Sequence, residues 1–161
     1  MEDRLTEQEL NERIAILRRF RALLEKQRAK FNEYLKILEL QEQSIENEDK
    51  EAIISHTELG NQIVSNISSL QKVIVPLESL YLSSGAGRCN PSEARPIREV
   101  LRDLDKLKVQ VQDQNEKNQE LLKIHMAEIR QQMSGMRNPY RNLRSIYAEK
   151  KESGTIMNIE A

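Results

Sequence analysis

Residues Leu10–Ile45 read LNERIAILRRFRALLEKQRAKFNEYLKILELQEQSI. Apolar side chains stand at Leu10, Ile14, Leu17, Leu24, Phe31, Leu35, Leu38 and Ile45. Separations of three, four and seven place them on one face of an α-helix. Arg21, Arg28 and Glu42 occupy the gaps in that heptad. A second stripe, Ile16, Phe20, Leu23, Tyr34 and Ile37, widens the apolar face. A face this wide suits a helical bundle better than a two-stranded coiled coil. Thr6-Glu-Gln-Glu9 just upstream has the spacing of a capping box. About 40 helical residues would be roughly 60 Å long.

Composition agrees with this start. Of 161 residues 38% are hydrophobic and 32% charged, enough for one domain with a thin core. Aromatics are 4%, Trp is absent, and there are only 5 Gly and 4 Pro, too few turn and strand formers for a sheet protein. Net charge is -1, which argues against a general attraction to nucleic acid. No apolar run approaches the roughly 20 residues that span a bilayer. Met1–Gln8 is polar and acidic, unlike a secretory signal. One cysteine, Cys89, allows no intrachain disulfide and suits a reducing compartment. A cytoplasmic protein is expected.

Downstream, the polar stretch Ser44–Asp49 predicts a break, with Asn47 or Asp49 capping the next helix. That helix carries Ile53, Ile54, Leu59, Ile63, Val64, Ile67, Leu70, Val73, Ile74, Leu77 and Leu80, the most apolar and least charged part of the chain. It is expected to be the central helix of the core, kinked or ended by Pro76. Ser83–Ser92 contains two glycines and a proline and predicts a loop; without Gly-Lys-Ser/Thr or a preceding strand it is no phosphate-binding loop. A third helix, capped near Ser92, has the stripe Ile97, Val100, Leu101, Leu104, Leu107, Val111, then Gln114, Asn115 and Asn118, then Leu121, Leu122, Ile129 and Met133. Asparagine at a core position can fix register, or line a wet groove for a partner.

The expectation is an all-α fold: an elongated antiparallel bundle of about three long helices near 6–45, 50–81 and 93–134, with a flexible C-terminal tail. Residues 1–136 form the bundle and 137–161 a mobile, partner-docking tail, since Ser134-Gly135 ends the helix and Asn138-Pro139 forbids its simple continuation. Arg137–Ala148 holds three arginines and no acid.

Chemistry-bearing groups are sparse. His56 and His125 lie on different helices, and neither joins a Glu-x-x-His or His-x-x-x-His pair, so a helical metal site is unsupported. Nothing supplies Cys89 with a helper histidine. Carboxylates alternate with Lys and Arg as on solvated helix faces. No catalytic residue, metal or cofactor is expected. Binding remains: Met126, Met133 and Met136 cluster on or near the third helix's end, as core packing or as an adaptable surface.

The order of features resembles the FlgN family of flagellar export chaperones. The resemblance rests on Phe20-Arg-Ala-Leu-Leu-Glu-Lys, on Tyr34-Leu-Lys-Ile-Leu, and on the acidic break Glu46-Asn-Glu-Asp-Lys before a second apolar helix. Asn115-Glu-Lys-Asn118-Gln-Glu-Leu121-Leu122 and the ending Tyr147-Ala-Glu-Lys-Lys-Glu-Ser-Gly154, then Ile156-Met-Asn-Ile-Glu-Ala161, complete it. It implies a cytoplasmic, non-enzymatic chaperone of hook-associated (hook–filament junction) proteins. Such a chaperone keeps its cargo from assembling early and delivers it to the cytoplasmic domain of the export gate, a membrane protein. Neither nucleic acid nor membrane insertion is involved. By position, cargo binding falls on Asn115, Asn118, Leu121, Leu122, Ile129 and Met133, and gate docking on Tyr147, with Tyr140 second. A reading from another class is a structural coiled-coil subunit or adaptor that dimerises through its first helix.

Overall fold

In the computed structural model, residues 6–84 and 91–134 are described. They form three α-helices and no strand: α1 (Glu7–Glu46), α2 (Lys50–Ser84) and α3 (Pro91–Ser134). The all-α expectation holds, with helix ends within three residues of those expected.

Local chemistry sets the ends. Thr6 N–H donates to the Glu9 carboxylate at 2.9 Å and Glu9 N–H donates to Thr6 Oγ1 at 3.3 Å, so the capping box satisfies two donors at the start of α1. The Thr6 backbone N–H holds the Glu9 carboxyl below its ordinary range. At the other end Asp49 N–H donates to Ser44 C=O at 2.9 Å and Glu48 N–H to Ile45 C=O at 3.1 Å. This is the Schellman pattern, and Glu48 takes the left-handed position, φ 54°, where glycine is usual. Asn47 therefore closes α1. Of the two expected caps it is Asp49 that starts α2, its Oδ1 accepting Ala52 N–H at 3.1 Å.

Two expectations about proline and capping are narrowed. Pro76 does not end α2, which runs on to Ser84. The forfeited bond belongs to the Lys72 carbonyl, and both residues are exposed, so water replaces the donor. The third helix begins at Pro91, before Ser92, at the first-turn position where proline's missing N–H costs nothing. Residues 85–90 of the expected loop lie outside the described residues.

The central helix is α1, not α2. Leu17, Phe20, Leu24, Gln27, Phe31, Tyr34, Leu38, Ser44 and Ile45 of α1 are buried, whereas α2 buries Gly60, Ile67 and Ile74. The two stripes of α1 serve two neighbours. Phe20 stacks on Tyr81 with ring centroids 5.4 Å apart, and the Gln27 amide donates to Ile67 C=O and Gln71 Oε1, each at 3.3 Å. Gln41 donates to Thr57 Oγ1 at 3.0 Å. These pairings run in opposite directions along the two chains, so α1 and α2 are antiparallel. Gly60 lets them close: a Cβ there would lie 3.3 Å from Tyr34 Cε2.

The other side of α1 meets α3. Arg18 pairs with Glu93 at 3.5 Å and Arg28 with Asp103 at 2.9 Å, each 75 residues apart in sequence. The constant offset makes α1 and α3 parallel. Of the three charged members of the α1 heptad, Arg28 and Glu42 thus face α3 partners, while Arg21 pairs with Glu25 of α1 itself. In that register the last residue of α1, Glu46, corresponds to Leu121. The chain divides there into two compact units, residues 1–122 and 123–161. Among the described residues no helix is long and apolar enough to cross a membrane.

Candidate functional site

The resemblance directs attention to α3 beyond Val111. Heptad spacing from Ile97 brings Gln114 and Asn118 onto the face toward α1, where apolar residues precede them. Asn118 is buried, 3% exposed. Its amide donates to Leu38 C=O at 2.8 Å and to Gln41 Oε1 at 3.2 Å, and its Oδ1 accepts from Gln114 at 2.9 Å. All of its polar atoms are therefore engaged within the bundle, as a register-fixing asparagine requires. Gln114 also donates to the Glu42 carboxylate. Lys117 Nζ approaches Glu42 at 2.6 Å. The Lys117 ammonium, then the Gln114 amide, hold the Glu42 carboxyl below its ordinary range, and Glu42 in turn raises Lys117.

The other residues expected to bind cargo are placed differently. Asn115 and Leu121 are half-buried, and Leu122 is 38% exposed. Ile129, in the second unit, is half-buried. Met133 is helical, but its side chain lies outside the described residues, as do Tyr140 and Tyr147. The cargo set is thus split between the two units, with Asn118 committed inside the first.

The histidines are modest. His56 Nδ1 lies 3.0 Å from Ser44 Oγ, which donates to Leu40 C=O at 2.9 Å. His125 Nδ1 is 3.9 Å from the Glu128 carboxylate.

Sequence reasoning missed Gln27, the other buried polar side chain on α1. Its Nε2 is used but its Oε1 has no partner, at 2% residue exposure. A signal existed: Gln27 falls in the second stripe of α1, seven after Phe20 and seven before Tyr34.

No family model matches the chain, and no solved structure does. A protein of Treponema pallidum (strain Nichols), itself described only as uncharacterized, is 34% identical over 156 residues, covering 97% of this chain and 96% of that protein. At that identity and coverage the chain belongs to the same family as this Treponema pallidum protein.

Proposed function

We propose that this chain is a cytoplasmic, non-enzymatic export chaperone of the FlgN type. It binds hook-associated junction proteins, prevents their premature assembly and delivers them to the flagellar export gate. The reading is carried by the ordered resemblance along the whole chain. The observation that supports it is apolar surface left on α3 where that resemblance puts the cargo: Leu122 is 38% exposed. A cargo helix with an apolar stripe would bury such a side chain against its own. Asn118 does not contact cargo in this scheme; it holds α3 against α1. Tyr147, with Tyr140 second, docks on the gate, and the arginines before Tyr147 speed encounter with an acidic surface.

The structural alternative pairs two copies through α1. The intrachain burial of Leu17, Leu24, Phe31, Leu38 and Ile45 counts against it, since that seam is already filled.

The test is titration of the purified chain with purified junction proteins and, separately, with the gate's cytoplasmic domain. Leu122→Asp should weaken junction-protein binding at least tenfold with helicity retained, and Tyr147→Ala should weaken only gate binding. No binding of either partner by the wild-type chain would overturn the proposal.

A further inference from the structure

The α1–α2 pair has two grooves, and α3 borders one. On a helix, residues two apart lie about 200° around the axis. Lys26 and Lys30 therefore point away from Arg28, the partner of α3. On their side lies an open groove of about 610 Å³ lined by Lys26, Ala29 and Lys30 of α1 and by Asn66, Ser69, Leu70 and Val73 of α2.

The α2 wall of this groove has its own pattern. Leu59, Ile63, Leu70, Val73, Leu77 and Leu80, with Asn66 between the second and third, are spaced four and three residues alternately. That 3.5-residue period is the seam a helix presents to another helix. It is distinct from the line Gly60, Ile67 and Ile74 that packs on α1. Leu59, Val73 and Leu80 remain 43%, 44% and 49% exposed, and Ile63, Leu70 and Leu77 are half-buried. No residue from Leu59 to Gln71 is charged, in a chain whose charged fraction is 32%. Solvated helix faces elsewhere in this chain are laced with charge, so a neutral, apolar, heptad-spaced face is built to be covered.

Charge selects the occupant. The α1 rim is mixed but net positive: Arg19, Lys26 and Glu33 follow one another at seven-residue spacing, and Lys30 pairs with Glu33 at 3.1 Å, which leaves Lys26 and Arg19 in excess. The α2 rim, Gln62, Ser69 and Pro76, is uncharged. In a second copy of α2 the seam's central stretch, Leu59–Gln71, would bring no acid to the lysines. The chain's own segment Arg137–Ala148 would bring three arginines. We infer that the α1–α2 groove opposite α3 docks an amphipathic helix of another protein, one with a heptad apolar stripe and acidic residues along the flank that meets Lys26 and Lys30. This inference does not depend on the export reading.

The probe is a fluorescein-labelled synthetic helix of about four turns with Leu and Ile at heptad positions and Glu along one flank; its control carries Lys on that flank. Anisotropy titrations with the full chain should give at least tenfold tighter binding of the Glu helix, a preference that shrinks as salt rises. Val73→Asp, at an exposed site that leaves helicity intact, should weaken binding at least tenfold. Lys26→Glu with Lys30→Glu should invert the preference. Equal binding of both probes, or binding indifferent to Val73→Asp, overturns the proposal. So does a wild-type dimer that Val73→Asp dissociates, which would make the occupant a second copy. Cross-links from Lys150 or Lys151 to Lys26 or Lys30 in the free chain would seat its own tail there and also overturn it. Because the probe contains no junction-protein sequence, its failure leaves the cargo titrations above to be judged separately.

Discussion

Replacing Asn118 separates two roles that its position permits. Asn118→Ala removes three hydrogen bonds, to Leu38 C=O, Gln41 and Gln114, and opens a small void. At about 0.5–1.5 kcal/mol net per bond the loss should come to roughly 3 kcal/mol. Asn118→Leu should cost no more than about 1 kcal/mol. The Leu38 carbonyl keeps its helical partner, Gln41 and Gln114 are half-buried and can turn to water, and the apolar side chain regains burial. Stability is then nearly restored, but the constraint on sliding is gone. Urea denaturation gives both losses. Register is read from nitroxide labels at exposed Arg19 and Arg98 in a Cys89→Ser background, whose distance distribution should be narrow in wild type and broader in Asn118→Leu. If Asn118→Ala costs under about 1 kcal/mol, the network does not hold α3. If Asn118→Leu keeps the narrow distribution, shape rather than the asparagine sets the register.

Four further outcomes are expected. Gln27→Met removes the orphaned Oε1, whose burial costs about 1–3 kcal/mol, and sacrifices two long bonds, so a net gain of about 1 kcal/mol should appear as a raised urea midpoint. Glu48→Gly relieves a left-handed residue and should stabilise by about 0.5–1 kcal/mol in thermal melts, the gain reduced by glycine's backbone entropy. In pH titrations of stability, Glu42 is lowered in the fold, so its contribution is present above the ordinary carboxylate pKa and is lost as pH falls through its folded value; Glu42→Gln should flatten that acid limb. Tyr34 is pushed up to about 12 by burial, so the fold should lose stability as pH rises from about 10 toward 12, a loss of about 2–3 kcal/mol that Tyr34→Phe abolishes.

The helices were legible because their causes are local. The capping box at Thr6, the α1 heptad and the polar break at Ser44–Asp49 are separations of three to seven residues, and backbone geometry converts them directly into helix and turn. At Pro76 the same local reading left a kink and an end both open, and continuation hung on whether Lys72 C=O could reach water. The reading failed for α2, because apolarity shows that a helix face prefers contact, not that contact exists. The two stripes of α1 were both visible, yet nothing in their spacing said that one would take α2 and the other α3. Asn118 stood at a visible core position, but its commitment to Leu38 and Gln41 required residues 80 and 77 positions away. Sequence by itself determined which segments are helical and which faces are apolar, since those follow from neighbours along one chain. Tertiary structure alone decided that α1 is central, that α3 runs parallel to it at an offset of 75, and that one groove of the α1–α2 pair stays open, since each depends on which distant surface fills the volume beside a given face.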